Sequence, residues 1–177
     1  MICRYLVRYL RQSGCNAVYQ KWIETGCRNL KIGLGHPYRF SKACSPHLAA
    51  RIARRKIDPA KIKASFRKME KKFDCVVVEG IGGALVPYNS KNLVIDIAKE
   101  LNLPVLLVAG NKLGAINHIL LTLEALESRK LEILGIIFNN LEEQDRTILR
   151  DNPRIVEKLS KVKVLGIFPW ISGRKKI

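Results

Sequence analysis

The stretch that most constrains the fold runs from Asp74 to Pro87 and joins a short apolar run to a glycine-rich turn. Cys75–Val78 is apolar and, apart from its cysteine, β-branched, which predicts a strand buried on both faces of a parallel sheet. Glu79 and glycines at positions 80, 82 and 83 follow, where the carboxyl end of a parallel strand opens onto a ligand-binding crevice. Glycines let the backbone approach a phosphate, and a lone carboxylate beside phosphates commonly holds Mg²⁺. A flexible turn with a solvated Glu79 explains the same residues equally well, so this stretch alone leaves both interpretations open.

Helices and strands alternate along the rest of the chain. Apolar runs predict strands at residues 17–20, 104–109, 133–138 and 162–168, and helical periodicity predicts helices at 2–12, 93–101 and 115–129. We expect residues 27–47, which are punctuated by glycine and proline, to be mostly loop. This order predicts an α/β fold of the P-loop NTPase type, a doubly wound and mostly parallel sheet in a single domain spanning residues 1–177.

Three of the predicted helices carry more detailed expectations. In the first helix, Ile2, Leu6, Tyr9 and Leu10 are expected on one buried face. Asp58-Pro59 and Asn152-Pro153 each read as an N-cap followed by proline at the first helical position. The helix after Pro59 is expected to bury four apolar residues, Ile62, Phe66, Met69 and Phe73.

The net charge of +17 is the unusual bulk property of the chain and raises the expectation of a polyanionic partner. The densest basic region lies between residues 51 and 72. We interpret it as a solvated helix face, because its one aromatic residue, Phe66, is expected on the buried face and no recognisable nucleic-acid module accompanies the charge. Nucleic acid is therefore not the expected partner.

The five cysteines are scattered without a Cys-x-x-Cys pair, which favours reduced thiols in a cytoplasmic protein. No apolar run approaches the roughly 20 residues that a membrane span needs. Arg4, Arg8 and Arg11 interrupt the N-terminal apolar positions, so we expect no signal peptide and no membrane partner.

Polar or glycine-containing positions follow several predicted strands: Lys21 and Thr25, Glu79 with residues 80–83, residues 114–117, Asn139, and Pro169. We expect these positions to line one edge of the sheet, where Lys21 could neutralise phosphate charge and Glu79 could hold a metal. A helix start at residues 114–117 offers free backbone N–H groups to an anion. The amide of Asn139 suits the edge of a purine base. Any one of these positions could be an ordinary loop residue.

Seven segments, in this order, resemble the dethiobiotin synthetase family: Lys21–Gly26, Pro37–Phe40, Ser45–Ala50, Val78–Gly83, Leu113–His118, Gly135–Asn139 and Leu165–Trp170. The resemblance implies an enzyme of biotin biosynthesis that uses ATP, Mg²⁺ and CO₂ to close a ureido ring on 7,8-diaminononanoate. It also implies that Lys21 is the active-site lysine, that Thr25 contacts the substrate and that Glu79 is a magnesium ligand.

The resemblance assigns the remaining site residues to two groups. The nucleotide-binding group comprises Glu79, Gly80, Ile81, Gly82, Asn139, Asn140, Pro169, Trp170 and Ile171. The second group is contributed by the partner subunit of a homodimer and binds the substrate carboxylate. It comprises Gly114, Ala115, Ile116 and Asn117.

Two departures from the family pattern matter. The 177 residues contain no Gly-Lys-Ser or Gly-Lys-Thr, so we expect the family's first strand and phosphate-binding loop to be missing and this chain, as printed, to be inactive. Residues 27–47 contain no acidic residue, although the family carries a metal ligand in this region. Two alternatives therefore stay open: a catalytically dead relative, and a basic P-loop-fold protein that binds nucleic acid or another polyanion.

Overall fold

The computed structural model describes residues 2–141 and 144–170. Its elements, in chain order, are α1 (Ile2–Gln12), β1 (Ala17–Lys21), β2 (Ile23–Thr25), β3 (Tyr38–Phe40), α2 (Pro46–Ile52), α3 (Pro59–Glu70), β4 (Cys75–Glu79), α4 (Val94–Glu100), β5 (Val105–Gly110), α5 (Ala115–Glu127), β6 (Ile133–Asn139), α6 (Arg146–Ser160) and β7 (Val164–Phe168). The chain contains two compact units, Met1–Leu101 and Asn102–Ile177. Every pair of named strands is parallel, which confirms the predicted α/β class.

In the first unit, β1 pairs with β4 and β2 pairs with β3. The register of the first pair runs from Ala17 opposite Cys75 to Lys21 opposite Glu79, so both strands end together. All five residues of β4 are half-buried. The expectation of a strand buried on both faces is therefore wrong for the described chain, in which β4 pairs with β1 alone.

Helix α3 forms as its sequence predicts. Asp58 caps it by accepting a hydrogen bond from the Ala60 N–H at 2.8 Å, and proline occupies the first turn. Ile62, Phe66 and Met69 are buried on one face. The fourth expected residue, Phe73, lies beyond the end of the helix and is half-buried.

Helix α1 has the predicted bounds but a different buried face. Ile2 and Val7 are buried, whereas Tyr9 is 66% exposed. The expectation that Tyr9 packs inward is wrong, because the helix turns its aliphatic arc toward the strands and leaves its tyrosines on the outside.

In the second unit, β5, β6 and β7 form a three-stranded parallel sheet in that order. Gly110 pairs with Asn139, and Asn139 pairs with Phe168, so the three carboxyl ends lie side by side. Helix α5 buries the predicted stripe of Ile119, Leu123 and Leu126.

Helix α6 begins earlier than predicted. Its N-cap is Asp145, whose side chain accepts a hydrogen bond from the Thr147 N–H, and not Asn152. Pro153 lies inside the helix. Both predictions for this helix start are therefore wrong.

A side chain from the end of β5 compensates for the internal proline. Pro153 has no N–H to donate to the carbonyl of Leu149, four residues earlier. Asn111 Nδ2 donates to that carbonyl at 3.0 Å, and Asn152 Nδ2 donates to Asn111 Oδ1 at 3.0 Å. Asn152 is buried and belongs to this network.

Candidate active site

Strands β1 and β4 bring a lysine and a glutamate together in the first unit. Lys21 Nζ donates to Glu79 Oε1 at 2.6 Å, and the two side chains are 22% and 30% exposed. Because the residues are in register at the carboxyl ends of parallel strands, the ion pair lies where ligands of open α/β sheets bind.

A tyrosine completes the contacts of Glu79. The Tyr19 hydroxyl donates to Glu79 Oε2 at 2.7 Å. The sequence analysis did not single out this residue. Its signal was the strand period of two, which places Tyr19 and Lys21 on the same face of β1.

The two hydrogen bonds keep Glu79 ionised. Burial by itself raises the pKa of this carboxyl, but the bonds from Lys21 and Tyr19 outweigh burial and hold the pKa below its ordinary value. Burial and the bond to Glu79 raise the pKa of Tyr19. At pH 7 the group therefore contains a carboxylate on Glu79 and a neutral phenol on Tyr19.

A buried polar network supports the backbone around Lys21. The Lys21 N–H donates to the Gly35 carbonyl at 2.8 Å. Gln20, which is fully buried, donates to the Leu34 carbonyl at 2.8 Å and accepts from Trp22 Nε1 at 3.1 Å. The loop before β3 is thereby attached to the strand that carries the lysine.

The glycine turn after Glu79 contains Gly80, Ile81 and Gly82. Gly82 has φ +65°, and a Cβ there would lie 2.8 Å from Val86 Cγ2. Both facts require glycine at this position independently of any phosphate. A Cβ at Gly80 would lie 3.3 Å from Val94 Cγ1.

Thr25 is the last residue of β2, where it pairs with Phe40 and is half-buried. It belongs to the same unit as the ion pair, on the strand that follows Lys21.

In the second unit, Gly114 precedes α5 with φ +80°, a left-handed conformation that favours glycine. The Ala115 N–H donates to the Lys112 carbonyl at 3.1 Å and is not available to a ligand. The N–H groups of Ile116 and Asn117 lie in the first turn of α5, where a helix offers them no acceptor of its own.

The residues expected to bind the nucleotide base lie at the ends of β6 and β7. Asn139 Oδ1 is buried and has no hydrogen-bond donor within the described chain. The Asn140 N–H donates to the Phe168 carbonyl at 2.9 Å. Pro169 follows β7, and Trp170 is 46% exposed. Ile171 lies outside the described residues.

Glu79 is the acidic residue to consider for a metal. Residues 2–141 and 144–170 contain no group of three or more His, Cys, Asp or Glu side chains that could hold an ion. Mg²⁺ at nucleotide sites is commonly bound by one or two carboxylates together with phosphates and water. An ionised Glu79, with one hydrogen bond to each oxygen and lone pairs remaining, fits the role of a single protein ligand.

None of the helices in the described part of the chain is long and apolar enough to cross a membrane.

The sequence matches known proteins over nearly its whole length. A family model described as an AAA domain matches residues 2–176. The ATP-dependent dethiobiotin synthetase BioD of Akkermansia muciniphila is 39% identical over 173 residues, which cover 91% of this chain and 81% of the relative. The BioD 2 protein of Pasteurella multocida is 34% identical, and the match covers 95% of this chain and 90% of that relative. The BioD protein of Thermodesulfovibrio yellowstonii is 33% identical, and the match covers 97% of this chain and 83% of that relative.

Proposed function

The chain belongs to the dethiobiotin synthetase family, a family of ATP-dependent ligases, and we propose that it makes dethiobiotin from 7,8-diaminononanoate, CO₂ and ATP with Mg²⁺. The single observation that carries the proposal is the Lys21–Glu79 pair at the carboxyl ends of two parallel strands. This pair supplies one fixed positive charge and one fixed negative charge beside a glycine turn.

The proposed reaction has three steps. One amine of the substrate adds to CO₂, loses a proton and becomes a carbamate. A carbamate oxygen then takes the γ-phosphoryl group of ATP and releases ADP. Attack by the second amine on the carbonyl carbon finally closes the ring and releases phosphate.

Lys21 is the residue proposed to stabilise the charge in these steps. An ammonium has three N–H donors, and the bond to Glu79 uses one of them. The other two can contact oxygens of the carbamate and of the transferring phosphoryl group, whose charge a positioned cation stabilises. Thr25 is proposed to contact the substrate.

Glu79 is proposed to bind the magnesium ion. The ion, when bound, neutralises phosphate charge during transfer. Tyr19 is proposed to orient the carboxylate through its hydrogen bond. The same bond helps to keep Glu79 ionised, because it lowers the pKa of this carboxyl.

The nucleotide is proposed to contact residues 80–82 through its phosphates and Asn139, Asn140, Pro169, Trp170 and Ile171 through its base. The buried Asn139 Oδ1, which lacks a donor in the described chain, supports this assignment because an adenine amino group could supply one.

The substrate carboxylate is proposed to bind the start of α5, contributed by the partner subunit of a homodimer. The N–H groups of Ile116 and Asn117 support this proposal, since a helix N-terminus attracts anions. Gly114 and Ala115 contribute the turn that precedes them.

The test is ATP-, Mg²⁺- and bicarbonate-dependent formation of dethiobiotin. Because the printed sequence has no Gly-Lys-Ser or Gly-Lys-Thr, the assay compares the 177-residue chain with the same chain preceded by a strand and a Gly-Lys-Thr loop. We expect the extended chain to form dethiobiotin and to lose this activity with Lys21→Gln. An extended chain that is folded and inactive with this substrate would refute the proposed function.

A further inference from the structure

The outward face of α1 carries a row of arginines beside a groove. Arg4, Arg8 and Arg11, together with Val18 and Tyr19, line a groove of about 570 Å³. This volume lies within the range of about 300–1,000 Å³ that ligand pockets usually have. We call this surface the α1 arginine groove.

Two tyrosines form a second row on the same helix. Tyr5 is 42% exposed and Tyr9 is 66% exposed. At about 3.6 residues per turn, the three arginines occupy an arc of roughly 60° and the two tyrosines occupy the next arc of the solvent face. The sequence analysis missed this combination because it placed Tyr9 on the buried face.

Two contacts hold the arginines in place. Arg11 Nε donates to the Ala17 carbonyl at 2.7 Å. The guanidinium carbon of Arg4 lies 5.9 Å from the centre of the Tyr19 ring, which is within the range of a cation–π interaction. The charges of Arg4 and Arg11 are therefore arranged before any ligand arrives, which lowers the entropy cost of binding.

We propose that the α1 arginine groove binds single-stranded nucleic acid. Proteins that bind single strands combine a basic groove along the phosphates with aromatic side chains on which bases stack. The arginine row supplies the first of these features and the exposed tyrosines supply the second. The net charge of +17 favours the encounter with a polyanion.

Two other occupants fit the surface less well. A second copy docked by two-fold symmetry would place the arginine row against the same row. A membrane surface would need the apolar face of α1, but Ile2 and Val7 on that face are buried.

The test measures binding of a fluorescently labelled 12-nucleotide oligothymidylate, and of oligouridylate, to the full chain by anisotropy at several salt concentrations. Arg4→Gln/Arg8→Gln removes two phosphate contacts and should reduce the slope of log K against log salt by about 1.4. The matched control Lys71→Gln/Lys72→Gln removes the same charge from an exposed part of the same unit. Equal loss of binding in both variants would overturn the proposal in favour of non-specific attraction.

A second pair of variants tests the stacking. Tyr9→Leu should weaken oligonucleotide binding about tenfold, whereas Tyr9→Phe, which keeps the ring, should bind normally. Heparin, which has no bases, should bind both variants equally. Equal oligonucleotide binding by Tyr9→Leu and Tyr9→Phe would overturn the proposal, as would tighter binding to phosphatidylserine vesicles than to the oligonucleotide. The proposal would also be overturned if the parent chain were a dimer that the Arg4→Gln/Arg8→Gln substitutions dissociate. None of these variants changes a residue of the proposed catalytic site.

Discussion

Lys21 Nζ lies 2.6 Å from Glu79 Oε1, and the two residues face each other in register at the ends of β1 and β4. The sequence separates these residues by 58 positions. Their backbone pairing places the two Cα positions opposite each other, so the side chains can meet where the strands end. The opposite charges are partly shielded from water and remain accessible to a ligand.

Replacing the lysine tests its proposed role. Lys21→Gln should lower kcat for dethiobiotin formation at least roughly 100-fold, because it removes the cation proposed to stabilise the transferring phosphoryl group. The measurement is the initial rate in the extended chain. Lys42→Gln, at an exposed position of the same unit, serves as the control and should keep the full rate. A Lys21→Gln enzyme with near-normal kcat would contradict the assignment.

Tyr19→Phe should change how stability depends on pH. The folded-state pKa of Glu79 is lowered, so this carboxyl contributes stability above its unfolded pKa of about 4.3, and the contribution is lost as the pH falls through the folded pKa. Removing the Tyr19 hydroxyl raises the folded pKa toward the unfolded one. The variant should therefore be less stable than the parent at pH 7, and the difference should shrink on acidification. Urea unfolding of both proteins at a series of fixed pH values between 3 and 7 measures this difference in unfolding free energy. A difference that does not vary with pH would show that the hydroxyl acts independently of the charge on Glu79.

A charge at the start of α5 should affect one substrate selectively. Asn117→Asp places a carboxylate beside the helix N–H groups proposed to bind the substrate carboxylate, and like charges repel. We expect weaker binding of 7,8-diaminononanoate and unchanged binding of ATP, both measured by calorimetry on the extended chain. Asn117→Gln keeps the amide and is the uncharged control. Equal weakening of both ligands would indicate a folding defect.

The amide that compensates for Pro153 should be worth a measurable free energy. Asn111→Ala removes the donor to the Leu149 carbonyl and should lower the free energy of unfolding by about 1–3 kcal/mol. In a Pro153→Ala background the cost should be smaller, because the new backbone N–H can donate to the same carbonyl. Additive losses in this double-mutant cycle would mean that the two groups do not share that acceptor.

Two glycines on neighbouring strands make a matched pair. Gly135 has φ +146°, and a Cβ there would lie 2.6 Å from Leu165 Cγ and 2.8 Å from the Lys163 carbonyl oxygen. Gly135→Ala should therefore cost about 2–5 kcal/mol of unfolding free energy. A Cβ at Gly166 meets nothing within 4 Å, so Gly166→Ala should change stability by less than about 1 kcal/mol. Similar losses in the two variants would place the strain elsewhere.

Local sequence was sufficient for much of the fold. The Asp58-Pro59 start of α3 and the buried stripe of α5 depend on residues a few positions apart, and both are confirmed. The parallel α/β class is also predicted from local sequence, because each strand and helix is recognised by its own periodicity and the elements alternate along the chain. The residues of the candidate site were selected from strand ends and from family resemblance, and their roles remain predictions.

Tertiary structure decided the relationships that local patterns do not contain. The same dipeptide signal, Asx-Pro, starts a helix at Asp58 and lies inside one at Asn152, because Asn111 from another element satisfies the Leu149 carbonyl. The bond from Tyr19 to Glu79 joins residues 60 positions apart, and it exists because two strands pair in one register. Periodicity gives the faces of a helix, but packing against β1 and β4 decides which face is buried. That choice leaves Tyr9 in solvent beside the arginines of α1.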